Sequence, residues 1–141
     1  MAQTAIFWPM IALTALIYAV YGLLLVRRAI AVRAGQAKPS DFRIPLADPQ
    51  ASATTIRNLV NLFELPVLFY VVCLALYMTR GADMAAVIVA WLFVGTRFAH
   101  TLVHTTTNRL RYRQVLFALG FILNGLLWLL LALHLLLPPA A

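Results

Sequence analysis

Four stretches of this chain carry almost no charge: Thr4 to Val26, Leu65 to Thr79, Met84 to Gly95 and Val115 to Leu137. The first and last are each about the length of one bilayer crossing, which takes ~20 residues. The middle two fall short. They reach full length only by taking in polar residues, Arg57 to Glu64 before one and Arg97 to His104 after the other. With 64% hydrophobic and 11% charged residues in 141, a soluble domain could not bury so much apolar surface. In lipid the backbone must satisfy its own hydrogen bonds, which selects helices; the alternation of a membrane β-strand is missing. The expected fold class is therefore all-α, an integral membrane four-helix bundle. One domain spans 1–141, with helices at about 4–31, 53–79, 83–108 and 112–137. The first apolar run has no Lys or Arg before it and is too long for an h-region. It is expected to be a membrane helix rather than a signal peptide.

The net charge of +7 raises the question of nucleic acid, and the positions of the charges argue against it. Arg27, Arg28, Arg33, Lys38 and Arg43 lie between helices 1 and 2, and Arg109, Arg111 and Arg113 lie between helices 3 and 4. The short helix 2–3 turn holds only Arg80, beside Asp83. Lys/Arg-rich short loops stay in the cytoplasm. Both termini are thus expected on the non-cytoplasmic side. The basic balance is mainly a topology signal, with some attraction to anionic membrane lipids. Loop one contains Gly35, Pro39, Pro45 and Pro49 and is expected to be ordered but not helical. Pro66 should kink helix 2 or loosen a turn. Arg80-Gly81 should close helix 2, Asp83 should cap helix 3, and Pro138-Pro139 should stop helix 4.

Polar residues fall in two stripes. Helix 2 carries Arg57, Asn61 and Glu64, spaced four then three, on one face. Helix 3 carries Arg97, His100, His104, Asn108 and Arg111, spaced three, four, four and three, again on one face, over roughly 21 Å. A charge at bilayer depth costs at least ~2.5–3.5 kcal/mol if it faces lipid. These groups are expected to face protein or a wet cleft between helices 2 and 3. Glu64 and Arg97 lie at similar depth, about 13–16 Å inward, and can pair. Such a pair can be purely structural, but the full set holds more cations than one pair needs. The expected guest is an anion with an apolar part, since the arginine fork grips carboxylates.

His100 and His104 sit one turn apart and could share a metal, but a third ligand is hard to find, and no metal site is expected. Cys73, in mid-helix, reads as a packing residue. His134 carries no assigned role, and Asn124 with Gly120 and Gly125 reads as close helix packing.

The run RNLVNLFELP, Arg57 to Pro66, resembles the helix-2 signature of the MAPEG family, membrane proteins of eicosanoid and glutathione metabolism. That signature is an Arg, an Asn four on and a Glu three further, here Arg57, Asn61 and Glu64. The resemblance implies four helices, a homotrimer, and glutathione as co-substrate bound between subunits near the cytoplasmic side. It implies glutathione contacts at Arg57, Asn61 and Glu64. It places Arg111 where an arginine would stabilise the thiolate. In the leukotriene synthase branch tyrosines on helix 3 contact the tripeptide, and here the corresponding positions are His100 and His104. The segment RFAHTLVHTTTNRLRYR is more similar to bacterial members, which implies a bacterial inner membrane.

Three functions stay open at this point. The first is a glutathione (or other thiol) transferase or peroxidase acting on lipophilic electrophiles. Its catalytic residues would be Arg111 and His104, and its binding residues Arg57, Asn61, Glu64, Arg97, His100 and Asn108. The second is a non-enzymatic lipid-binding or membrane-protein assembly module. The third is a metal or haem carrier.

Overall fold

The computed structural model describes residues 2–43 and 48–137. Pro45, Pro138 and Pro139 lie outside them. The helices are α1 (Phe7–Arg33), α2 (Gln50–Met78), α3 (Met84–Thr105) and α4 (Leu110–Leu136), with short 3-10 turns at Gln3–Ile6 and Pro39–Arg43. All four are long and apolar enough to cross a membrane, the first counted from Gln3. Their outward faces carry large exposed apolar side chains, such as Leu25, Val71, Trp91, Phe121 and Leu129. Such a surface is stable only against lipid or another apolar surface.

The core is built around the stacked rings of Phe69 on α2 and Phe93 on α3, with centroids 4.5 Å apart. Leu13 and Val20 from α1 and Leu127 from α4 close it, and Cys73 is buried within it. α3 packs mainly on α4, and α1 mainly on α2. α2 runs through Pro66 as one continuous helix, so the proline costs one backbone donor without ending it.

One end of the bundle is tied by polar contacts that are all local or between helix ends. The Gln3 side-chain carbonyl accepts from Ala82 N–H (3.0 Å), and His134 Nε2 donates to the Thr79 carbonyl (2.9 Å). The His134 ring lies over Gly81, where a β-carbon would come within 2.7 Å of it. Gly81 therefore makes room for a side chain, while Arg80 takes the left-handed turn conformation with φ 61°. Asp83 caps α3 as expected, its carboxylate accepting from Ala86 N–H at 2.8 Å.

The other end holds the longer connection. Arg28 donates two bonds to Asp48 (2.8 and 2.6 Å), Ser52 donates a third (2.7 Å), and Phe42 lies under the guanidinium at 5.0 Å. These contacts clamp the α1–α2 connection onto α1. Hydrogen bonding from Arg28, aided by Ser52 and opposed by burial, holds the Asp48 carboxyl below its ordinary value. Arg27 spans three helices, donating to Thr54 and Thr55 on α2 and to the Thr105 carbonyl at the end of α3.

The largest departure from expectation is at the end of α3. The helix stops at Thr105 rather than continuing to residue 108. Asn108 has φ 49°, and its N–H bonds back to the Val103 carbonyl at 2.7 Å. Asn tolerates the left-handed region better than most residues and serves as a helix terminator there. The stripe that the spacing ran through Asn108 to Arg111 is therefore cut. Arg111 belongs to α4, and α4 begins in a new phase.

Candidate functional site

The helix-2 stripe faces the start of α4. Asn61 and Glu64 from α2, His100 from α3, and Leu110, Arg113, Gln114 and Phe117 from α4 line a groove of about 250 Å³. A second recess of about 340 Å³, lined by Arg57, Val60, Asn61 and Arg113, shares two of its walls. Together they form one trough, with α2 and α4 as its sides and His100 in its wall. The cleft expected between helices 2 and 3 lies instead between α2 and α4. α2 and α3 meet directly, and Asn58 donates to Thr101 across their contact at 3.2 Å.

Four of the expected binding residues meet here: Arg57, Asn61, Glu64 and His100. Arg57 and Glu64 are exposed, and Asn61 is half-buried. The other candidates are placed differently. Arg111 is exposed and lines neither recess. Arg113, two residues on, occupies the trough and borders both recesses. Residues two apart on a helix point about 200° apart, so only one of them can face the trough. Asn108 is not a helix-3 contact. Its side-chain carbonyl accepts from Arg113 at 2.8 Å, so it orients the arginine. The Arg113 Nε is buried and has no partner.

Arg97 does not pair with Glu64. Among the described residues the one ion pair joins Arg28 to Asp48. Arg97 is 1% exposed, and its guanidinium donates to the Leu116 carbonyl of α4 at 3.0 Å. Phe93 and Phe117 flank it, each with a ring centroid 5.5 Å away. Gly120 leaves the space it needs, since a methyl there would overlap the guanidinium. Arg97 thus lies behind the Phe117 wall and not inside the trough.

The two histidines differ in the same way. His100 lines the trough, while His104 is 1% exposed with its ring 5.5 Å from that of His100. His104 Nδ1 has no partner, and neither does Asn58 Oδ1. No group of three or more His, Cys, Asp or Glu among the described residues could hold a metal ion.

Sequence reasoning missed Arg113, Gln114 and Phe117. The signal was present: Leu110, Arg113, Gln114 and Phe117 follow the three-four spacing of one helical face. It was masked by counting Asn108 into the preceding helix.

A larger recess of about 580 Å³ lies between α1 and α2, lined by Phe7, Met10, Ile11, Thr14, Ala15, Tyr18 and Tyr70. It carries no charge, and the Thr14 and Tyr70 hydroxyls bond each other at 2.9 Å. Volume favours this recess, and chemistry favours the trough. A guest that must be oriented needs convergent polar groups, so the trough is the candidate site.

Comparison with known protein families gives a match to the MAPEG family over residues 5–133. Neither the curated proteins nor the solved structures give a match. The match covers nearly the whole chain, includes the Arg57–Asn61–Glu64 stripe, and agrees with the four membrane-length helices; the chain belongs to the MAPEG family.

Proposed function

We propose that the trough binds glutathione, or a similar anionic thiol, and adds its sulfur to lipophilic electrophiles that enter from the bilayer. The observation that carries this reading is the charge inventory around the trough. Arg57 and Arg113 border it and Arg97 lies behind its wall, against the single carboxylate of Glu64. Three cations and one anion leave two positive charges. Glutathione with its thiol ionised carries two carboxylates, one ammonium and one thiolate, hence two negative charges. Glu64 suits the ammonium, and Arg57 suits a carboxylate. Arg113, whose Nε has no partner, suits the thiolate.

A nearby guanidinium lowers a thiol pKa and raises the fraction of nucleophile. His100 is placed to orient the sulfur or to accept its proton. His104 stands behind His100 and does not reach the guest directly. Leu110 and Phe117 give the trough an apolar flank for the electrophile. Arg113 replaces Arg111 as the arginine of the reaction.

In this reading the trough end of the bundle is cytoplasmic, the termini lie on the opposite side, and the membrane is a bacterial inner membrane. The protein is a homotrimer, which covers the exposed face of α2 formed by Phe63, Val67 and Val71. The decisive experiment is calorimetry in detergent. Glutathione should bind the wild-type protein, and Arg57→Ala should abolish binding. No heat at millimolar glutathione would sink the proposal. Light scattering corrected for detergent should return three chains per particle.

A further inference from the structure

Arg97 is the one fully buried cation in a membrane-length helix among the described residues, and no carboxylate accompanies it. A buried guanidinium left without a counter-charge is costly unless something offsets it. Here the offset is partial: one backbone carbonyl, two ring faces, and a weak contact to the Thr96 hydroxyl at 3.5 Å. A hydrophobic residue would pack between Phe93 and Phe117 at less cost. The position of Arg97 behind the trough suggests what the cost supports. The Phe117 ring that flanks its guanidinium also lines the trough, and His100, one turn on along α3, lines it too.

We propose that Arg97 is a field-setting residue: it never touches the guest, but its charge, held fixed behind the Phe117 ring, favours the ionised sulfur in the trough. This inference rests on the thiol reading above. It differs from a contact role, because Arg97 has no open path to the guest. It also differs from a purely structural staple, because a staple needs the hydrogen bond to Leu116 and not the charge.

The bound sulfur experiences several other groups. Arg57 and Glu64 face it from α2, His100 from α3 with His104 behind, and Arg113 from α4. Arg113 is the near cation and sets most of the shift. Arg97 adds to it through apolar material, where a charge is screened less than at the rim. Ionisation breaks the S–H bond, leaves the electron pair on sulfur, and sends the proton to His100 or to water. The field lowers the cost of the charge left behind.

The test is a titration of glutathione bound to excess detergent-solubilised protein, read by the ultraviolet absorbance of the thiolate. Arg97→Met and Arg97→Gln both remove the charge, and the second keeps a donor for the Leu116 carbonyl. Either should raise the pKa of the bound thiol by about one unit, the order expected for a charge one ring away in a protein interior. Arg97→Lys should leave it within a few tenths of wild type. S-methylglutathione, whose sulfur cannot ionise, should bind the Gln variant within about twofold of wild type, since little of the packing is lost. Gly120→Ala keeps the charge but displaces it and should give a smaller upward move. It decides the matter if neither neutral variant folds.

An unchanged thiol pKa in a folded neutral variant overturns the inference and leaves the thiol reading standing. So does a Lys variant that shifts as far as the Met variant. If the wild-type protein binds no glutathione, both fall together.

Discussion

The two ends of the bundle are built from similar residues and use them differently. At the end where α1 begins and α4 stops, three polar side chains each close on a neighbour: Gln3 on Ala82, Asp83 on Ala86, His134 on Thr79. At the other end, Asn58 Oδ1, His104 Nδ1 and Arg113 Nε are buried with no partner. Buried polar atoms left unmet cost free energy, and folded proteins rarely keep them without cause. The first end therefore reads as a set of closures; at the second, Arg113 Nε is the unmet atom at the trough, while Asn58 Oδ1 and His104 Nδ1 line neither recess. Asn124, at mid-depth on α4, is the exception that belongs to neither end. Its Oδ1 is also without a partner, and nothing in the structure accounts for it.

The contrast can be broken most directly at Arg113. Arg113→Ala should weaken glutathione binding by about 10- to 150-fold, the worth of hydrogen bonds to a charged group. Arg111→Ala should stay within about twofold, because its side chain is outside the trough. Calorimetry on the two variants tests the reassignment, and equal losses would overturn it. A smaller effect is expected inside the α3–α4 seam. Gly120→Ala should lower stability by about 1–3 kcal/mol, the range for forcing volume into a packed site, measured as unfolding in detergent. At the closed end, Asp83→Ala should cost about 1 kcal/mol through loss of the cap while leaving glutathione binding unchanged. Any loss of binding would mean that the two ends are coupled.

The smallest expected effect is on the connection between α1 and α2. The folded state holds the Asp48 carboxyl below its ordinary value, so the native protein binds fewer protons there than the unfolded chain. The stabilisation is complete above the ordinary carboxylate pKa of about 3.8 and is lost as pH falls through the lower folded value. A thermal melt taken at successively more acid pH should show this loss. Asp48→Asn should be less stable at neutral pH and should lose this component of the acid dependence.

The first and last spans were legible because each is about the length of a bilayer crossing and nearly free of charge; the middle two were legible only once their flanking polar residues were taken in. The Arg57–Asn61–Glu64 face was legible because a continuous helix preserves spacing. What was not legible depended on single backbone events. The three-four-four-three spacing of Arg97, His100, His104, Asn108 and Arg111 looks like one face only if the helix continues, and the left-handed Asn108 ends that assumption. The placement of Arg97 was hidden for a related reason. Its acceptor is the Leu116 carbonyl, and a backbone oxygen leaves no mark in a sequence. The clean Asp83 cap, by contrast, is a local signal with a local outcome, and it appears where expected.

The seam between α3 and α4 has a consequence for the face that α4 shows to the trough. α4 offers two arginines, Arg111 and Arg113, on nearly opposite faces, and the phase of the helix chooses between them. The turn at Asn108 lies outside both helices and does not by itself set that phase. The packing of α4 on α3 does, and Gly120 closed against Arg97 is its tightest point. The register that seats a buried guanidinium at one depth thus also decides, two turns away, which arginine is presented at the trough.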